Sequence, residues 1–162
     1  MRLLCVLFLF ISPFCLSQEL EELRMEYPKA NSDAVVANTL FQGLSSISKT
    51  DNKVLVAYKG AVTTLKAKFA KRIKDKKTFF KEGAQLLEHA IASEPQNLEI
   101  RCLRLGVQEN SPKIVGYKDS IQEDKQFLLK HYKTTTNKSV RKFVKGYVLL
   151  SKVFSEAEKQ LF

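Results

Sequence analysis

The spacing of apolar residues constrains the fold of this chain more than any other feature. From residue 18 onwards, apolar side chains recur every three or four positions in one segment after another, and this is the period of one face of an α-helix. The longest stripe consists of Leu55, Tyr58, Val62, Leu65, Phe69 and Ile73. No segment alternates apolar and polar residues for long enough to predict a β-strand. The predicted fold class is therefore all-α.

Prolines and capping residues divide this pattern into about six to seven helices. Pro28 and Pro95 each follow a helical segment, and the residue before a proline avoids the α-helical region. The pair Asp51-Asn52 precedes another segment and Asn97 precedes a third, both as N-cap candidates. Ser120 and Glu123 have the spacing of a capping box. The short links predict antiparallel helical hairpins, arranged either as a compact bundle or as a tetratricopeptide-like stack.

Two further predictions concern where helices end. A turn near Asp75 would make Ile73 the last residue of the buried stripe. The final segment, from Val140 to Leu161, keeps its 3-4 apolar spacing throughout. That spacing suits either a coiled-coil seam between two chains or a core-facing helix that closes the fold.

The N-terminus has the layout of a secretory signal peptide. Arg2 precedes an apolar run over residues 3–11, Pro13 follows, and small residues precede Gln18 at the positions that cleavage requires. A membrane-spanning helix needs about 20 apolar residues, and this run is shorter. A buried N-terminal helix and a lipoprotein acylated at Cys15 are the alternatives. We therefore expect an exported protein, either periplasmic or extracellular.

Cleavage between Ser17 and Gln18 would leave residues 18–162 as a single helical domain without a membrane-spanning segment. This domain keeps one cysteine, Cys102, so it cannot form an internal disulfide. We interpret Cys102 as a small buried apolar residue. The formal net charge of the chain is +10, which favours acidic partners such as an acidic ligand or an anionic envelope surface. Nucleic acid is less available to an exported protein.

Residues that carry catalysis or bind metals are sparse. His89 and His131 are far apart, and neither has a second histidine at the spacing of a helical zinc site. The chain has no Gly-rich phosphate loop and no nucleophile elbow. We therefore predict a non-enzymatic protein without a metal or cofactor. A hydrolase built from carboxylates of different helices, such as Glu88 and Asp124, is the third hypothesis.

The most specific polar pattern lies on an otherwise apolar helix over residues 98–109. Its polar stripe consists of Asn97, Arg101, Arg104 and Gln108. Because a buried charge is costly unless it is paired, the two arginines need partners. In one interpretation they pair internally with nearby carboxylates, the candidates being Glu88, Glu99 and Asp124. In the other, Arg101, Arg104, Gln108 and Tyr117 line a groove whose arginines bind a carboxylate or phosphate of a ligand.

A basic run provides the second candidate surface. Its residues are Lys66, Lys68, Lys71, Arg72, Lys74, Lys76, Lys77 and Lys81. Such a run is commonly a solvated helix face. It also suits contact with anionic envelope lipid or polysaccharide, whereas no motif of a nucleic-acid reader accompanies it.

Two resemblances support this picture. Residues 83–95 look like the second helix of a tetratricopeptide repeat, although Gly60 and Gly83 are too far apart for a standard repeat. Residues 58–129 resemble a family of uncharacterised, exported helical proteins of Bacteroidetes-type bacteria. The motifs that carry this second likeness are AYKGA at 57–61 and AIASEPQNLEIR at 90–101. The family resemblance implies export and helical architecture, and it lends no activity.

Three functional hypotheses follow. The first is a non-enzymatic binding or scaffold protein of the envelope or extracellular space, with a ligand groove at the polar stripe. The second is a basic envelope-surface protein that associates with anionic lipid or polysaccharide, and this association should weaken as the salt concentration rises. The third is the hydrolase.

Overall fold

A computed structural model describes residues 13–162, and all regular structure in that range is helical. The helices are α1 (Pro13–Ala30), α2 (Ala34–Gly43), α3 (Lys53–Phe69), α4 (Ile73–Ser93), α5 (Leu98–Asn110), α6 (Ile121–His131), α7 (Lys138–Leu150) and α8 (Glu156–Lys159), with a 3₁₀ turn at Lys113–Val115. The prediction of an all-α fold is confirmed, and the arrangement is compatible with a compact helical bundle. Most of the predicted signal peptide, residues 1–12, lies outside the described residues.

An antiparallel hairpin of α3 and α4 forms the centre of the fold. Gly60 and Gly83 face each other across it. A Cβ atom added to Gly60 would lie 2.8 Å from the carbonyl oxygen of Gly83, and one added to Gly83 would lie 2.5 Å from that of Gly60. Only glycine lets two helix backbones approach so closely. The two glycines that the sequence placed in helices therefore set the spacing of the hairpin.

Helix α5 lies between two apolar clusters. Its residues Ile100 and Leu103 pack in the cluster that includes α3 and α4, whereas Cys102 and Leu105 pack in the cluster formed with α6 and α7. Asn97 caps the helix and accepts hydrogen bonds from two backbone N–H groups. Cys102 is buried and free, as predicted, and burial raises the pKa of its thiol.

Two predicted helix ends in the first half of the chain are wrong. α1 continues through Pro28 to Ala30, because Ala30 is fully buried in a cluster with Ala37 and Leu65 that holds the last turn in place. The turn after α3 falls at residues 70–72 and not near Asp75. Ile73 is consequently the first residue of α4 and is 72% exposed.

The final predicted helix is interrupted. α7 ends at Leu150, and the chain turns at Ser151 before the short α8. The carboxylate of Glu109 holds this turn, because it accepts hydrogen bonds from the Ser151 hydroxyl at 2.8 Å and from the Lys152 backbone N–H at 2.7 Å. Leu150, which belongs to the predicted apolar stripe, is 84% exposed. A continuous seam from Val140 to Leu161 does not form, and the split adds α8 to the predicted number of helices.

The capping box predicted at Ser120 is also absent. The Ser120 side chain makes no capping hydrogen bond, and the carboxylate of Glu123, the other half of the motif, is bound by Arg101 instead. A capping box forms at α8, where Ser155 and Glu158 bond to each other's backbone N–H groups. The local motif at residue 120 is thus overridden by a tertiary ion pair.

Candidate functional site

Arg101 and Arg104 lie one turn apart on α5 and meet a carboxylate from α6. Asp124 is completely buried and accepts two hydrogen bonds from Arg104, at 2.7 Å from Nε and 2.8 Å from Nη2. Nη1 of Arg101 donates to the same carboxylate at 2.8 Å. This bidentate geometry matches the planar fork of a guanidinium. The two arginine side chains are only 8% and 5% exposed.

Two partly exposed carboxylates complete what we call the arginine network, namely Arg101, Arg104, Asp124, Glu123 and Glu88. Glu123 pairs with Arg101, and Glu88 accepts from Arg104 Nη1 at 3.0 Å. The hydrogen bond from Arg101 lowers the pKa of Glu123. Burial alone would lower the pKa of Arg104, but the hydrogen bond and charge of Asp124 more than offset it, so the pKa is raised. The two arginines and Glu123 therefore stay charged at neutral pH.

The predicted role of the two arginines in binding a ligand does not fit this geometry. All three guanidinium nitrogens of Arg104 donate to carboxylates of the network. Nη1 of Arg101 does so too, and its Nε donates to the Pro95 carbonyl at 2.9 Å. The network has the geometry of internal pairing, with Glu88 and Asp124 among the partners that the sequence suggested.

Glu99, the third candidate partner, lies on the opposite side of α5. It accepts hydrogen bonds from the Arg24 guanidinium at 2.8 Å and from the Tyr58 hydroxyl at 2.8 Å. Positions 99 and 101 are about 200° apart around a helix with 3.6 residues per turn, so Glu99 faces away from Arg101 and cannot pair with it. Arg24 thereby joins α1 to α5. Burial and the charge of Glu99 raise the pKa of Tyr58.

A groove lies beside the arginine network, between α4 and the segment that links α5 to α6. Its volume is about 570 Å³, and its lining includes Phe80, Glu88, Val115 and Tyr117. The Tyr117 hydroxyl donates to Glu88, and its ring meets Phe80 edge-on at 5.8 Å. Burial and the hydrogen bond to Glu88 raise the pKa of Tyr117. Of the four predicted groove residues, Tyr117 is the one that lines this groove.

Gln108 completes the predicted stripe but is a core residue. It is buried, and its side-chain Oε1 has no hydrogen-bond partner within residues 13–162. Its backbone carbonyl accepts from Lys118 at 3.0 Å. Phe80 and Val115 do line the groove, but the sequence did not predict this. No local pattern distinguishes an apolar residue that lines a groove from one that packs in the core.

The predicted basic surface divides into three parts. Lys66 and Lys68 reach across to α2 and to the turn before it, where their amino groups donate to Asn38 at 2.8 Å and to the Asn31 carbonyl at 2.6 Å. Lys81 lies further along α4 and lines the groove. The remaining residues surround the turn between α3 and α4.

At that turn, the charge of Arg72 is neutralised by an ion pair, whereas the lysines have no ion-pair partner among the described residues. The Arg72 guanidinium makes two hydrogen bonds to the Asp75 carboxylate, at 2.7 and 3.0 Å. The other basic residues are exposed, and no salt bridge in the described part of the chain involves them. We call them the lysine cluster: Lys71, Lys74, Lys76 and Lys77.

The two histidines lie apart in the fold. Nε2 of His89 is 3.0 Å from the Lys49 carbonyl oxygen, while the His131 ring stacks on Phe127. Among residues 13–162, no group of three or more potential metal ligands converges. Within the same range, no helix combines the length and the apolar character that crossing a membrane requires.

Comparison of the chain with protein-family models, with curated proteins and with solved structures finds no match. The resemblance to an exported helical family therefore stays a prediction, and the functional argument rests on the geometry above.

Proposed function

We propose that this protein is a non-enzymatic binding protein of the bacterial envelope or extracellular space that attaches to an anionic surface through its lysine cluster. One observation carries the proposal. Four lysines are exposed within seven residues around a single turn, and no carboxylate is paired with any of them in residues 13–162. The surface-binding hypothesis is preferred to the ligand groove because the arginines of that groove are buried and paired.

The expected strength of this attachment follows from the number of charges. A lysine close to an anionic lipid surface contributes about 1 kcal/mol at physiological salt. Four lysines on one turn then give about 4 kcal/mol, which corresponds to nearly a thousandfold in affinity. Because exposed charges are screened over about 8–10 Å at physiological salt, the attachment should weaken steeply as ionic strength rises.

The test compares two variants that remove the same charge from different turns. One replaces the lysine cluster with glutamine. The control replaces four exposed lysines that are spread over thirteen residues around the turn between α6 and α7, namely Lys130, Lys133, Lys138 and Lys142. Binding of the purified proteins is measured on vesicles containing phosphatidylglycerol and on immobilised heparin, in low and in physiological salt.

We expect the cluster variant to lose about a hundredfold or more in affinity on both supports, and the control variant to lose little. Equal losses would show that net charge alone attracts the protein, and the cluster would have no special role. Failure of the wild-type protein to bind either support in low salt would refute the proposed function.

A further inference from the structure

Two exposed aliphatic side chains lie at the same end of the molecule as the lysine cluster. Ile73 is the first residue of α4 and Val35 lies in the first turn of α2, and they are 72% and 75% exposed. A single exposed aliphatic residue is ordinary in a soluble protein. Ile73 lies within the lysine cluster, and Val35 adds a second exposed aliphatic side chain on the neighbouring helix α2.

The two turns that carry these residues are joined. The Lys68 amino group donates to the Asn31 backbone carbonyl at 2.6 Å and to the Asn31 side chain at 3.3 Å. Phe69, the last residue of α3, packs against the cluster that Leu65 of α3 forms with Ala30 of α1 and Ala37 of α2. The α1–α2 turn therefore lies next to the end of α3, and Ile73 follows Phe69 by four residues.

From this arrangement we propose that the anionic surface is a lipid bilayer, and that Ile73 and Val35 insert below the level of the phosphates while the lysine cluster contacts the phosphates. This inference rests on the proposed function and narrows its partner to one class. Lysine suits the role, because its apolar stem can lie along the acyl region while its amino group stays at the interface.

Charge complementarity decides between possible occupants of this surface. A hydrated polysaccharide offers anionic groups but no apolar interior, so it would leave Ile73 and Val35 in water. A second copy of this chain would bring the same lysines opposite one another. The acidic residues nearby do not cancel the cluster: Asp75 is held by Arg72, and Asp33 caps α2 by accepting from the Val35 and Val36 N–H groups.

Removing the two aliphatic side chains tests the insertion separately from the charge. The variant Ile73→Ser/Val35→Ser keeps all the lysines. Its matched control, Ile114→Ser/Leu150→Ser, removes two aliphatic side chains that are 95% and 84% exposed elsewhere on the surface. Burial of one aliphatic side chain is equivalent to about tenfold or more in affinity. We therefore expect the first variant to bind phosphatidylglycerol vesicles at least tenfold more weakly, with heparin binding unchanged, and the control to match wild type on both.

A fluorescent reporter gives a direct measurement of depth. The chain contains no tryptophan, so Ile73→Trp introduces a single one at the proposed insertion site, and Ile114→Trp provides the control. On vesicles, the emission of the first should shift to shorter wavelength and be quenched by brominated acyl chains, while that of the second should not change.

The outcomes separate the two proposals. Unchanged vesicle binding by the serine variant, or a tryptophan at position 73 that stays solvated on vesicles, would overturn insertion and leave the electrostatic attachment standing. Equal losses on heparin and on vesicles would also overturn it, because insertion has no counterpart on heparin. Wild-type protein that binds neither support would refute the proposed function itself.

Discussion

The arginine network and the lysine cluster use positive charge in opposite ways. In the network, two arginines that are less than 10% exposed meet three carboxylates from α4 and α6. In the cluster, four exposed lysines have no ion-pair partner in the described chain. The planar, weakly hydrated guanidinium suits buried bidentate pairing, whereas the strongly hydrated ammonium suits an exposed surface. The comparison teaches that an overall charge of +10 says less about binding than the type and burial of each cation.

The largest expected effect comes from removing the shared carboxylate of the network. Asp124→Ala leaves two buried guanidinium groups short of their main partner, and breaking a buried pair in this way costs about 3–5 kcal/mol. Chemical denaturation followed by circular dichroism measures the loss. Glu123→Ala is the control, because Glu123 is 60% exposed and an exposed pair contributes about 1 kcal/mol or less. Similar losses for the two variants would mean that Asp124 is not the centre of the network.

Exchanging the two cations tests the comparison itself. Arg104→Lys keeps the charge but loses the bidentate contact with Asp124, so we expect about 1–3 kcal/mol of destabilisation. Replacing the lysine cluster with arginine should change the free energy of unfolding by no more than about 0.5 kcal/mol and preserve vesicle binding. A stable Arg104→Lys protein would show that charge alone, and not guanidinium geometry, holds the network together.

The smallest effect is spectroscopic and appears at alkaline pH. Burial and the hydrogen bond to Glu88 raise the pKa of Tyr117, and burial and the charge of Glu99 raise that of Tyr58. A pKa raised by folding stabilises the native state fully below the unfolded pKa of about 10, and this contribution is lost as the pH rises towards the folded pKa. Absorbance titration at 295 nm should therefore show both tyrosines ionising only as the protein unfolds. The variants Tyr117→Phe and Tyr58→Phe should each remove one tyrosine from the absorbance change that accompanies unfolding. If a variant instead removes a tyrosine that ionises near pH 10, the prediction is wrong for that residue.

Helices were predictable from the sequence where local signals act alone. Asn52 and Asn97 cap helices as predicted, and α4 ends at Ser93, just before Pro95. The predictions were wrong where a distant residue competes with a local signal. Glu123 leaves the predicted capping box for Arg101, Glu109 holds the turn that interrupts the last helix, and the burial of Ala30 carries α1 past Pro28.

The candidate sites were predictable to a similar degree. The sequence singled out both arginines and required partners for them, because buried charges must be paired. It also identified the basic run. The sequence did not show that Arg72 differs from the lysine cluster because its charge is neutralised by Asp75. Nor did it show that Ile73, assigned to the buried stripe, would instead lie exposed among those lysines.

The all-α class and most helix positions follow from periodicity and capping, which involve residues only a few positions apart and can therefore be seen in the sequence. The pairing of Arg104 with Asp124, the attachment of Arg24 to Glu99 and the joining of two turns by Lys68 and Asn31 depend on residues that are distant in the chain. Such contacts form only after the helices have packed, and packing is set by the combined burial of many side chains rather than by any local motif.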